Sequence, residues 1–347
     1  MGGNTGRQRQ REQLTYDVHA HIVPIKLMEM LRADGLKYGI EVFADQDGKE
    51  RLRLAGRLEI GPFPDDLFDL DARFAAMIQG GVDVQLVGHR TEFSAYTLDG
   101  EKGASYARAF NRILADEVSR HPDRLLGLGT VPLQDPPRAA EELAYAVQEL
   151  GMVGVEIASN IDGLPLDRAG LDPFWETANE LRCFVLLHPN DPLRGVDLSR
   201  YFMANMVGRP AESTVAIAYL LFSGVLDRYP DLVVAMVHGG GYMPYQLGRW
   251  EKAYKVVPHI AGANISRPPI DYVRRLYFDS LVHIPEALSY LIDLVGTSQV
   301  LVGTDYPYEM AERAPVAFID SVPGLTRDDR HAVLEGNMQR ILDGIRR

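Results

Sequence analysis

Residues 15–24 of the chain read TYDVHAHIVP, a β-prone run that ends in two imidazoles one residue apart. Alternate side chains of a strand point the same way. His19 and His21 therefore share a face and lie close enough to hold a single ion. Two surface histidines after an ordinary first strand would give the same local pattern, so the choice falls to the rest of the sequence.

Downstream, apolar strand-like runs recur as VDVQLVG, RLLGLGTVPL, VGVEIA, CFVLLHP, LVVAMVHGG, RLYFDS and QVLVGTD. Amphipathic stretches such as RAAEELAYAVQELG and DPFWETANELR separate them. With the first strand this makes about eight β-then-α units, the count of a closed parallel (β/α)8 TIM barrel. An open doubly wound sheet competes, but no glycine-rich dinucleotide fingerprint follows the first strand. HGGGYMPYQLG lacks the Lys-Ser/Thr of a phosphate-binding loop. After IKLMEMLRADG, a short helix closed by Gly35, residues 38–60 alternate around the turn DQDG and predict a small inserted β-hairpin. The division predicted is a disordered tail over 1–13 and one barrel domain over 14–347.

The chain has 347 residues, 46% of them apolar, and a formal net charge of −12. That charge argues against a nucleic-acid or anionic-membrane surface, and no apolar run reaches bilayer length. The lone Cys183 lies in an apolar strand-like stretch, so no intrachain disulfide forms. A reducing, cytoplasmic setting suits it. The first residues, MGGNTGRQRQREQL, have no apolar core and do not form a secretory signal.

In such a barrel the working groups project from the carboxyl ends of the strands. Those ends carry His19 and His21 on strand one, His188 in VLLHPN, His238 in AMVHGGG and Asp305 in LVGTDYPY. Imidazole and carboxylate together suit one divalent ion such as zinc, manganese or iron. His19, His21, His188 and Asp305 are the predicted ligands. His238 is the predicted general acid or base, its reference pKa lying near neutrality. No lysine occurs between Lys102 and Lys252, so strand four cannot carry a carboxylated lysine bridging two metals. Glu156 on that strand is expected to pair with a neighbouring cation instead.

The ordered set DVHAH, LLHP, VHGGG and GTDYP resembles the amidohydrolase superfamily, in particular its branch of aminocarboxymuconate semialdehyde decarboxylase and related aromatic-acid decarboxylases. VPLQDP, SGVLDRYPDL, HGGGYMPYQLGRW and RPPIDYVRRLYFDS extend the likeness over nearly the whole chain. The resemblance implies one zinc or manganese ion on His19, His21, His188 and Asp305, with His238 catalytic. It implies non-oxidative decarboxylation of a small aromatic or conjugated unsaturated carboxylic acid, in which Asp305 could also share the proton given to carbon. It further implies a homodimer in which Arg249 reaches the partner's substrate. GPFPDD, with Gly61, stands where the semialdehyde decarboxylase has a substrate-binding arginine, and Asn190 follows His-Pro in place of an aromatic residue. The residue inventory equally permits a metal-dependent hydrolase of a lactone, ester or amide.

Overall fold

The computed structural model describes residues 13–190 and 195–346. The predicted tail lies outside them, apart from Gln13. Eight strands pair in parallel: β1 (Tyr16–His21), β5 (Val84–Gly88), β6 (Leu125–Gly129), β7 (Gly154–Ala158), β10 (Phe184–His188), β11 (Val233–Met236), β12 (Tyr277–Asp279) and β13 (Val300–Leu301). Asp17 and Ala20 bridge to Val302 and Tyr306, which brings the last strand back to the first and closes the barrel. Each strand corresponds to one of the apolar runs above. They are continuous rather than alternating because a parallel sheet wrapped in helices is buried on both faces.

The segment after the first helix differs from expectation in two ways. The helix spans Ile25–Tyr38 and stops at Gly39, whose φ is 80°. Gly35 lies inside it, because a Cβ there would sit 2.5 Å from the Ile40 carbonyl oxygen. The insertion is a three-stranded antiparallel sheet of β2 (Ile40–Ala44), β3 (Glu50–Leu54) and β4 (Leu58–Ile60). Ala55 and Gly56 both adopt positive φ, which supports a second tight turn, and so the predicted hairpin becomes two. A small pair, β8 (Asn160–Ile161) with β9 (Leu164–Pro165), completes the strands.

A register slip lies beside the first two predicted ligands. The register of β1 against β5 slips between Asp17 and Ala20. Val18 belongs to the strand-built core with Leu86, Leu128, Phe184 and Leu186, yet His19 beside it turns toward the site formed by His188 and His238. Bulges commonly re-aim a side chain beside a functional site. Lower in the barrel, a Cβ on Gly154 would lie 1.8 Å from the Phe184 carbonyl oxygen. Gly154→Ala is expected to destabilise the fold by about 3 kcal/mol, read as an earlier urea midpoint; an unchanged midpoint would contradict this packing.

Candidate metal centre

The five predicted groups meet at the carboxyl rim. Ring centroids of His19 lie 5.2 Å from those of His21, His188 and His238, and those of His21 and His188 are 5.0 Å apart. One oxygen of Asp305, Oδ1, is 3.1 Å from His21 Nε2 and 3.4 Å from His19 Nε2. The other, Oδ2, is 3.5 Å from His238 Nε2.

What turns the imidazoles inward is their outer nitrogens. His19 Nδ1 donates to Asp279 Oδ2 at 2.8 Å, and His21 Nδ1 to the His89 carbonyl at 2.8 Å. His188 Nδ1 lies 2.8 Å from the Pro189 carbonyl and 2.6 Å from Thr91 Oγ1. Placing the proton on Nδ1 leaves each Nε2 with its lone pair toward the centre, the usual outer support of a metal-binding histidine. Among the described residues His19 Nε2 and His188 Nε2 are buried without a hydrogen-bond partner, as the donor atoms of a metal site are before an ion binds.

The charges agree. Burial would raise Asp305, but His19, His21 and His238 outweigh it and hold this carboxyl well below its usual range. Burial would lower His19, but Asp305 and Asp279 outweigh it and push the imidazole up to about 10. Burial, reinforced by the imidazoles around it, holds His188 well below its usual value and so neutral. A proton held on His19 between two carboxylates occupies a place suited to a cation. Because His19 sheds its proton only toward pH 10, loading is expected to release protons and affinity to climb with pH across the neutral range. Calorimetry in buffers of different ionisation enthalpy checks this; identical heats would refute it.

A deeper network fixes the frame. Arg73, fully buried, donates to the His21 carbonyl and to Gln85 Oε1 and lies 4.8 Å from the centre of the Tyr306 ring. Gln85 Nε2 and Thr304 Oγ1 both donate to Asp17 Oδ2. This ties the base of β1, β5 and the loop before Asp305 into one unit. His238 and Asp305 themselves sit at φ 55° and 59°, left-handed backbone that costs about 1–3 kcal/mol per non-glycine residue and recurs at functional sites.

Glu156 departs from expectation. It is fully buried, and among the described residues no Lys or Arg pairs with it. Its nearest charge-capable neighbours are His21 Nδ1 at 3.8 Å and His89 Nδ1 at 3.9 Å. Burial pushes it up to about 7. Its bulk is accommodated by Gly88, where a Cβ would lie 2.1 Å from Glu156 Oε2. Arg249 is exposed on the helix Met243–Val256.

The sequence reading missed several participants. Asp279 also ends an apolar strand and was visible by that signal; it accepts from Gly239 N and Leu281 N besides His19. Asp279→Asn is expected to weaken metal affinity 10–100-fold, measured by competition with a chromophoric chelator; unchanged affinity would remove it from the support. Arg90, Arg209 and Tyr308 line a compartment of about 200 Å3 with His21, His188, His238 and Asp305. A second compartment, of about 400 Å3, shares His238, Asp305, Arg209 and Asn205 with it.

A closed parallel barrel with inward imidazoles and one carboxylate on its carboxyl rim defines a metal-dependent (β/α)8 protein. The amidohydrolase family model matches residues 16–344, and the chain belongs to that family. It is 31% identical over 331 residues to the 2-amino-3-carboxymuconate-6-semialdehyde decarboxylase of Dictyostelium discoideum, covering 95% of this chain and 91% of that one. Its fold superposes on 5-carboxyvanillate decarboxylase from Sphingomonas paucimobilis with TM-score 0.80 at 26% identity, covering 96% and 100% of the two chains. A dihydroxybenzoic acid decarboxylase from Polaromonas sp. JS666, solved with bound manganese and an inhibitor, 2-nitroresorcinol, matches with TM-score 0.77 at 25% identity over 96% and 97%.

Proposed function

We propose that this protein is a metal-dependent, non-oxidative decarboxylase of a small aromatic or conjugated unsaturated carboxylic acid. The observation that carries this reading is the division of Asp305 between two tasks. Oδ1 faces the inward nitrogens of His19 and His21, and Oδ2 faces His238. His19, His21, His188 and Asp305 would hold one ion, zinc or manganese. The manganese-bound decarboxylase relative supports the second choice. When bound, the ion supplies Lewis acidity toward substrate oxygens.

The chain's own groups account for the proton. His238 Nε2 stands beside Asp305 Oδ2 at the wall shared by both compartments. From there a proton can reach the ring carbon bearing the carboxylate. Protonation interrupts conjugation and leaves the adjoining, now electron-poor π system as the electron sink. The bonding pair of the departing carboxylate then restores the conjugated system as carbon dioxide leaves. Arg209 orients the anionic substrate, while the Arg90 fork is closed on Glu92, Nε to Oε2 at 2.8 Å and Nη2 to Oε1 at 3.1 Å. Gly61 stands where the semialdehyde decarboxylase has an arginine, and Arg209, at the start of the helix Arg209–Phe222, supplies positive charge to the compartment instead.

Arg249 belongs to the same proposal as a residue delivered to the partner subunit's substrate in a homodimer. Its exposure supports that role. A cytoplasmic setting fits the buried Cys183, whose thiol burial pushes up to about 12 and so out of thiolate chemistry. Among the described residues no helix is long and apolar enough to cross a membrane.

The test is incubation of metal-loaded protein with hydroxybenzoates, aminated muconic acids and aromatic lactones in 18O-water. Carbon dioxide release without 18O in the organic product, abolished by chelation and restored by manganese or zinc, is expected. Lactone opening with 18O in the product would replace decarboxylation by hydrolysis.

A further inference from the structure

Resting on that reading, we infer that the substrate carries a bulky apolar substituent, and that the 400 Å3 compartment beside the metal centre receives it. The polar compartment, about 200 Å3, is lined by Arg90, Glu92, Arg209 and the metal-centre side chains. Its neighbour is twice as large, and the two share His238 and Asp305 as a wall. Together they span the range of pockets built for drug-sized ligands, about 300–1,000 Å3. A one-ring acid alone would leave the larger space to water.

The chemistry of that space is apolar. Met206, Pro210, Tyr242, Val282, Tyr290 and Leu291 line it. The hydroxyls of Tyr242 and Tyr290 are committed elsewhere. Tyr242 Oη donates to the carbonyls of Met206 and Val207 at 3.3 Å, and Tyr290 Oη to that of Pro244 at 3.1 Å. These bonds tie the wall of the compartment together and spend the polar ends of both rings. Its remaining polar lining is the shared His238, Asp305, Arg209 and Asn205, together with His283 and the exposed Tyr245.

The glycines after His238 bring the walls together. A Cβ on Gly239 would lie 2.4 Å from Val282 Cγ1, and one on Gly241 would lie 2.1 Å from the Pro210 carbonyl oxygen. Glycine lets the loop that carries His238 lie directly against two segments of the apolar wall. An acid held over the metal centre thus has its far side directed at hydrocarbon.

The experiment measures binding of 2-hydroxybenzoates carrying hydrogen, methyl, propyl or pentyl at ring position 4 or 5. Calorimetry on the metal-loaded full chain gives the dissociation constants, and carbon dioxide release is followed in parallel. Each buried methylene is expected to tighten binding about fourfold, so one pentyl series should gain at least tenfold over the unsubstituted acid. Val282→Trp and, separately, Ala287→Phe should bring that ratio toward one by filling the space. A flat or falling response to chain length in the unaltered protein overturns the inference, including the case in which a second copy of the chain closes the compartment. A gain that both filled variants leave intact also overturns it. Carbon dioxide release without a chain-length gain refutes the compartment and keeps the decarboxylase reading. A chain-length gain without carbon dioxide release supports the compartment and removes that reading.

Discussion

His238→Ala is expected to lower kcat for carbon dioxide release by 10²–10⁴-fold, the range for losing a positioned general acid or base, while the protein keeps its metal. Distance alone does not compel the second half. Donor atoms of His19, His188, His238 and Asp305 all lie within 4.8 Å of one another, so a criterion of proximity would make His238 a ligand in place of His21. The outer nitrogens separate the two. His19, His21 and His188 each have Nδ1 anchored to a carboxylate or carbonyl, whereas His238 Nδ1 is buried without a partner. An imidazole anchored at one nitrogen suits a ligand, and one left unanchored suits a group that changes protonation. His21→Ala should therefore lose the metal and His238→Ala retain it, measured by atomic emission after gel filtration beside steady-state kinetics. The reverse pattern would exchange the two roles.

How far the sequence revealed this depends on the kind of information involved. The barrel was legible because eight apolar runs separated by amphipathic segments leave few other architectures. His19, His21, His188, His238 and Asp305 were legible because each closes such a run, where the barrel places its chemistry. Arg73, Gln85 and Thr304 were not, since their link to Asp17 exists only once strands distant in sequence are neighbours. The register slip in β1 was equally hidden. Simple alternation correctly put His19 and His21 on one face but gave no sign that Val18, beside them, serves the strand-built core. Glu156 misled for a related reason. A buried carboxylate usually demands a cation, but here burial raises it to about 7, so that near neutrality a proton offsets part of its charge. The third strand of the insertion depended on a turn at Ala55 and Gly56 that leaves only a faint trace in the sequence.

Asp305→Ala should remove both metal and activity, and in the metal-free protein it should also cost stability in a pH-dependent way. Asp305 is buried among three imidazoles and is the foremost group holding the charged form of His19 in place. Breaking a buried pair by deleting one partner costs about 3–5 kcal/mol, because the other charge is left uncompensated. His19 has a folded pKa raised from 6.5 to about 10, so its contribution is fully present below pH 6.5 and is lost as pH rises toward 10. Asp305 is depressed, so its share is present above the ordinary carboxylate range and is lost only in acid. The two conditions overlap at pH 5–6.5, and there the variant should fall furthest below the unaltered protein in urea unfolding. The gap should narrow steadily toward pH 10 as His19 gives up its proton in the unaltered protein. A gap that stays constant over that interval would show that Asp305 stabilises the fold by packing rather than by charge, and the pairing that makes this rim a cation site would lose its basis.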